Sequence, residues 1–369
     1  MSRATTRFFN PNKLKLGIFS ANCSGGMAVT NVPERWDGSW DSNLKMARMA
    51  DEAGFEFLLP VARWVGYKEN SFFHNSVLET LSWASGLLAA TRDITVFATV
   101  HTAFSHPIVA AKQCATADQI GHGRFGLNIV CGWNSYEYEM FGIDLPTEHS
   151  ARYAFGQEWH DIARKIWTEQ KAFDWNGEHF KLKHVAGAPK PYFGDCPPIL
   201  NAASSEEGRA FAVKNADFLF TVLADIEKGR QDVATVKAQA AQADRKLGVF
   251  TTSYVVCRPT DAEAQDYHRY YADTNANWEE AERFMALQNI SSQSFPPEVF
   301  KQFRGRFAGG NGVYPIIGSP DTVADTLAAI SGAGFDGVTV AFVNYNDELP
   351  YFCQEVLPRL EAKGLRKPA

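Results

Sequence analysis

The sequence predicts a (β/α)8 TIM barrel with insertions, and three observations carry that reading. Amphipathic helical stretches alternate with short apolar strands along the whole chain. The strands are nearly all apolar, the pattern of strands covered on both faces. The same device, a helix ending in Ala-Gly-Phe and running into a strand, stands at Ala53-Gly54-Phe55 and again at Ala333-Gly334-Phe335. A doubly wound open sheet shares this alternation, and the count of eight strands favours closure. The 369 residues are therefore read as one barrel domain, 1–369, with insertions near 169–197 and 275–312.

The elements follow in order. Leu14 to Ser20 is the first strand, and Trp40 to Ala53 a helix with Met46, Met49, Ala50 and Ala53 on one face. Gly54 stops that helix and Phe55 to Ala62 is the second strand. Asn75 caps a helix to Thr91, Ile94 to His101 is strand three, and His106-Pro107 opens a helix toward Ile120. Strand four is Phe125 to Val130, followed by a helix from Ala151 to Thr168. Trp175-Asn176-Gly177-Glu178 is a turn signal and predicts an inserted hairpin. Strand five is Ile199 to Ala203, a helix begins near Ser205, strand six is Asp217 to Leu223, and a polar helix occupies Ile226 to Arg245. Strand seven is Val249 to Cys257, with a helix at Asp261 to Ala272. Asn275 to Gly312 is polar and aromatic with weak periodicity and is read as an insertion over the barrel mouth. Pro320 to Ser331 is helical, Gly337 to Val343 is strand eight, and Glu348 to Lys363 closes the chain as a helix.

Composition narrows the function. With 45% hydrophobic and 21% charged residues, the chain can bury a large core. A net charge of -6 and the lack of a Lys/Arg run argue against nucleic acid as a partner. No apolar stretch is long enough to span a membrane and no leader is legible, so no membrane partner and a cytoplasmic location are expected. Cys23, Cys114, Cys131, Cys196, Cys257 and Cys353 show no zinc or redox spacing, and the histidines no H-E-x-x-H pattern, so no metal site is expected.

The chemistry is expected at the C-terminal rim of the strands. Asn128 puts a carboxamide into an otherwise apolar strand, where a backbone network or a polar ligand must meet it. Trp133, Trp64 and Phe104 follow strands and serve either as core or as walls for a flat ligand. His101 ends strand three, where it is either structural or functional. Glu137 and Glu139 are a solvated face or ligand contacts. Ser205 opens a helix after a strand, an ordinary N-cap or a phosphate site. Arg152-Tyr153 starts a helix, where a cation is unhelpful to the dipole unless an anion is near. Gly332-Ala333-Gly334-Phe335-Asp336-Gly337 matches G-x-G-x-x-G, but it lies between helix and strand, the wrong order for a dinucleotide, and reads as a helix stop.

His106-Pro107-Ile108-Val109-Ala110-Ala111, the run from Gly123 to Trp133, Glu137-Tyr138-Glu139, Arg152-Tyr153 and Ile166-Trp167 together resemble the bacterial luciferase-like flavin monooxygenases, most of all their pyrimidine (RutA) and dimethylsulfone monooxygenase groups. The resemblance implies a barrel that binds FMN at Ala62, Arg63, Asn128, Glu137, Arg152, Tyr153 and Ser205. It implies an oxygen pocket from Leu59, Thr99, Asn128 and Trp133, with His101 orienting substrate. The family's lysine at the second-strand contact is Arg63 here, which keeps the charge, and Ala62 replaces a larger aliphatic residue. The activity it implies is a two-component monooxygenase. A separate reductase supplies FMNH2 by diffusion, and O2 activated in a dry pocket oxygenates a small heteroatom-bearing substrate with amide C–N cleavage. Carbon–sulfur oxygenation and a deazaflavin-dependent oxidoreductase are the alternatives, and a homodimer is expected.

Overall fold

The computed structural model describes residues 2–66, 71–288, 290 and 297–368. Along the chain run β1 (Lys15–Phe19), α1 (Trp40–Glu52), β2 (Phe57–Leu59), α2 (Thr80–Ala90), β3 (Thr95–His101), α3 (Pro107–Ile120), β4 (Phe125–Val130), α4 (Ser135–Met140) and α5 (His149–Thr168). Then come β5 (Phe173–Asn176), β6 (Lys181–Val185), β7 (Ile199–Ala202), α6 (Glu206–Asn215), β8 (Phe218–Phe220), α7 (Ile226–Gln242) and β9 (Gly248–Cys257). The last part comprises α8 (Asp261–Arg269), α9 (Trp278–Leu287), α10 (Pro297–Gly310), β10 (Tyr314–Gly318), α11 (Pro320–Gly332), β11 (Gly337–Ala341) and α12 (Tyr345–Ala362). Eight parallel strands close into a barrel flanked by helices, as the alternation predicts.

The chain divides into two compact units. The first comprises Met1–Asn10, Glu79–Phe220 and Val236–Gly248, and its strands lie in the order β3-β4-β7-β8, all parallel. Phe97 on β3 and Phe218 on β8 both meet Phe8, at ring distances of 5.3 and 5.0 Å. Two strands stand between β3 and β8, so side chains that reach a common ring must project from the concave face of the sheet. That assignment sets the whole pattern: Phe97, Thr99 and His101 face the concave side, and so do their register partners Gly126, Asn128 and Val130. Helix α3 begins where the sequence says, with Pro107 at its first turn and His106 Nδ1 accepting from the Ile108 amide at 3.3 Å. Helix α2 starts later than expected. Glu79, not Asn75, caps it, because the Glu79 carboxylate takes the Leu81 and Ser82 amides at 2.9 and 2.8 Å. The predicted hairpin is β5 and β6, antiparallel, with Asn176 opposite Lys181.

The second unit comprises Pro11–Leu78, Thr221–Thr235 and Val249–Ala369, with strand order β10-β9-β11-β1-β2. Phe57 on β2 stacks on Phe250 of β9 at 5.2 Å, again across two intervening strands, so these rings fill the concave side here. Strand β10 was not expected. It exists because β9 is ten residues long: β11 pairs with Phe250 to Tyr254, and β10 takes Ser253 to Cys257. The segment read as an aperiodic insertion, 275–312, contains α9 and α10, while residues 289 and 291–296 lie outside the described residues. Ala281, Phe284, Met285 and Phe307 bury against Val29 and Phe73. Backbone bonds fasten the segment: Val29 N–H donates to Ala308 O, Asn277 N–H to Val29 O, and Asn31 N–H to Asn275 O, at 2.9, 3.0 and 2.8 Å. Ala-Gly-Phe at 333–335 is the helix stop expected, with Gly334 at φ +100°.

Candidate active site

The first unit gathers most of the residues singled out in the sequence, and the path of the chain after β4 does the gathering. Strand β4 is held between Gly123 and Gly132, both with positive φ, so the apolar run Phe125–Val130 is delimited by two residues that can turn sharply. At Gly132 (φ +97°) an added Cβ would lie 2.2 Å from Tyr138 Oη, which explains why a side chain is missing where the strand hands over to Trp133. Glu137 sits on helix α4. Asn134 caps it by accepting from the Tyr136 amide at 3.3 Å, and Tyr138 Oη donates back to Cys131 O at 3.2 Å.

Asn128 is 4% exposed on the concave face, beside Thr99 on the neighbouring strand. Its Nδ2 donates to Thr99 Oγ1 at 3.1 Å. Its Oδ1 is buried and has no hydrogen-bond partner among the described residues. Leaving such a carbonyl dry and unmet costs about 1–3 kcal/mol, so the position calls for a donor from outside the chain. One step further along β3, His101 Nε2 stands 4.0 Å from Glu137 Oε2, with both side chains buried. A buried imidazole beside a carboxylate is a group that can meet a polar substrate atom. Trp133 is 38% exposed and so lies at the rim rather than in the core.

A second cluster is built by α5 and α6. Arg152 Nη1 donates to Gly132 O at 3.0 Å, which places its guanidinium beside the β4 exit. The next residue, Tyr153, has its hydroxyl near Ser205, and burial pushes its phenol up to about 12. It therefore stays protonated at neutral pH and remains a donor. Ser205 caps α6, with Oγ accepting from the Gly208 amide at 3.2 Å, so the ordinary N-cap role is filled. Gly208 itself is required by close approach: a Cβ there would sit 2.4 Å from Tyr153 Oη and 2.5 Å from Ala203 Cβ. Two hydroxyls converge on the amide-rich start of a helix, a geometry suited to an anion.

The structure thus brings together Thr99 with Asn128, His101 with Glu137, Arg152 with the Gly132 turn, and Tyr153 with Ser205. Leu59, Ala62 and Arg63 belong to the second unit. There Leu59 is buried on β2, and the positive charge of Arg63 acts on Cys23 and His74. Sequence reading missed Asn134, Tyr138 and Gly208. Asn134 to Glu137 had a signal, since Asn with Glu three residues on is the spacing of a helix start. Among the described residues no helix is long and apolar enough to cross a membrane, and no group of three His, Cys, Asp or Glu side chains is placed to hold a metal.

Comparison with known proteins agrees with this frame. The luciferase-like monooxygenase family model matches residues 14–337. An FMNH2-dependent dimethylsulfone monooxygenase from Pseudomonas fluorescens is 30% identical over 363 residues, 95% of this chain and 96% of the relative. A pyrimidine monooxygenase RutA from Allorhizobium ampelinum is 28% identical over 360 residues, 95% of this chain and 97% of the relative. The solved structure of riboflavin lyase RcaE with modified FMN and riboflavin superposes with a TM-score of 0.85, at 21% identity, over 96% of this chain and 93% of that one. On the family match and the identity across nearly its full length, the chain belongs to the luciferase-like monooxygenases.

Proposed function

We propose that the chain is the oxygenating component of a two-component flavin monooxygenase, which takes FMNH2 from a separate reductase and uses O2 to oxygenate a small heteroatom-bearing substrate with amide C–N cleavage. The observation that carries this is the buried, partnerless Asn128 carbonyl on the concave face, in a family whose curated relatives are FMNH2-dependent. The residues fit the cofactor. The Ser205 and Tyr153 hydroxyls at the start of α6, with Arg152 nearby, suit its phosphate. Asn128 and Glu137 suit the polar edge of its ring, and Ala62 and Arg63 are assigned to it by the resemblance.

Bound reduced FMN supplies the two electrons that activate O2. In the proposed reaction the chain positions and protects. Thr99 and Asn128 hold the oxygen-binding corner, Trp133 keeps water from it, and His101, beside Glu137, orients the substrate. Tyr153, protonated at neutral pH, donates a hydrogen bond to the phosphate and adds no negative charge beside it.

The test is oxygen uptake with photoreduced FMN in the presence of pyrimidines, simple amides and sulfones. Coupled uptake with an amide or pyrimidine is the expected result. Relatives of both chemistries match at 30% and 28% identity, so sulfone turnover would move the assignment to C–S oxygenation. Hydrogen peroxide alone with every substrate would overturn the oxygenase reading, and turnover with a deazaflavin under anaerobic conditions would replace it with hydride transfer. Gel filtration with light scattering tests the expected homodimer.

A further inference from the structure

We propose that the second unit carries a binding site for a small aromatic cation, in the cleft where the C-terminal end of β9 meets α8 and the start of α12. The inference does not depend on the flavin reading, because no residue assigned to flavin, oxygen or substrate lines this cleft.

The strand places the cleft. Phe250 faces the concave side of the sheet, so Cys257, seven residues further along β9, faces the helices on the convex side. Beside it lies a cleft of about 420 Å³, within the roughly 300–1,000 Å³ of small-molecule sites. All of its lining belongs to the second unit. Tyr267, Tyr351 and Pro259 supply flat, largely apolar surfaces. Burial pushes the Cys257 thiol up to about 12, so it adds a neutral wall at physiological pH.

The polar groups decide the charge of the occupant. Arg258 is the one cation among the described residues lining the cleft, and it is already engaged. Its Nη1 donates to Glu348 Oε2 and to Cys257 O, both at 2.9 Å, and its guanidinium carbon lies 3.9 Å from the centre of the Tyr267 ring. The amides at the start of α12 are taken as well. Those of Asn346 and Asp347 donate to Asn344 Oδ1 at 3.0 and 3.3 Å, and that of Glu348 to Asn344 O at 3.1 Å. An anion would therefore find the guanidinium neutralised and these amides occupied. Two carboxylates remain: Glu34, whose Oε1 accepts from Tyr267 Oη at 3.1 Å, and the exposed Asp347. Neither forms an ion pair with a Lys, Arg or His among the described residues. Uncompensated carboxylates beside two phenol rings, around a space of ligand size, suit a cation with a flat apolar body.

The experiment is a ligand-observed NMR titration of the full-length protein with three compounds of similar shape and different charge: benzamidinium, acetophenone and benzoate. Benzamidinium is expected to bind about tenfold more tightly than acetophenone, and benzoate more weakly than either. Asp347→Asn and Glu34→Gln keep the shape of the lining and remove one charge each. Either is expected to weaken benzamidinium about threefold and to leave acetophenone unchanged. Asn128→Ala is expected to leave benzamidinium binding as it is in the wild type. No binding of benzamidinium, equal binding of benzamidinium and acetophenone, or a preference for benzoate overturns the inference. So does benzamidinium binding that falls in Asn128→Ala but not in Asp347→Asn, because it would place the compound at the β3–β4 site. Should Glu34→Gln fail to fold, Asp347→Asn, at an exposed position, carries the test alone, and unchanged benzamidinium affinity there is equally fatal.

Discussion

Gly208 shows how a single absent side chain shapes the start of α6. Alanine is normally the better residue inside a helix by about 1 kcal/mol, so Gly208→Ala ought to stabilise α6 if the position were ordinary. Here the new methyl would stand 2.4 Å from Tyr153 Oη and must push that hydroxyl away from the start of α6. We expect Gly208→Ala to cost about 1–3 kcal/mol in urea unfolding and to weaken FMN binding at least tenfold by calorimetry. Unchanged FMN affinity would remove Tyr153 from the phosphate assignment. Gly142, at φ +68° with open space around its Cβ position, is the control: alanine there strains only the local backbone and is expected to leave FMN binding alone. At this scale the sequence was most informative where a residue broke its local pattern. Asn128 is legible because it is polar among apolar neighbours, and Ser205 because it follows a strand. Gly208 was not legible, because its reason is a tyrosine more than fifty positions away.

Among elements, the N-terminal segment is the one that a pattern-based reading leaves blank. Its described residues form no strand or α-helix, yet they bury Phe8 against Phe97 and Phe218 on the concave side of the first unit. Arg3 holds it there. Its guanidinium meets both Asp118 carboxylate oxygens at 3.1 Å, Asp195 at 2.9 Å and the Gly123 carbonyl at 2.9 Å. Asp118 is fully buried, and it also accepts from the Phe125 and Tyr192 amides. Removing only the cation strands a buried carboxylate, so Arg3→Met is expected to destabilise by about 3 kcal/mol, read as a lower urea midpoint. A midpoint within error of the wild type would show the segment to be dispensable. The other gaps share a cause. Helix α4 has six residues, too few for a 3.6-residue period to show, and α9 and α10 sit in a segment rich in Phe and Gln on several faces. The starts of α4 and α9 were legible even so: Asn134 and Asn277 each cap a helix, with Glu137 and Glu280 three residues on. By contrast β4 and α3 were read correctly because glycines, a capping histidine and Pro107 delimit them locally.

On the scale of the whole molecule, the fold refuses protons that the unfolded chain accepts. His74 is fully buried beside Phe73, and burial, with the charge of Arg63, pushes its pKa down to about 3 against the hydrogen bond with Gly26 O. Burial likewise lowers His268, stacked on Tyr254, to about 4. Both values lie below the ordinary 6.5, so between pH 6.5 and 4 the unfolded chain binds more protons than the folded one. Stability from these two groups is therefore complete above pH 6.5 and is lost as the pH falls, by at most about 1.4 kcal/mol per pH unit for each histidine. Asp217 and Glu348, whose carboxyls burial raises, work the other way, since their folded forms hold protons that the unfolded chain has already released. The net slope is thus smaller than the two histidines alone would give, and a variant is needed to read their share. Asn tolerates the left-handed backbone at position 74, where φ is +53°. His74→Asn is expected to lower stability at pH 7 yet flatten its decline between pH 6.5 and 4, as measured by urea unfolding across that range. If wild type and His74→Asn lose stability in parallel on acidification, the buried imidazole is not what makes the fold sensitive to acid.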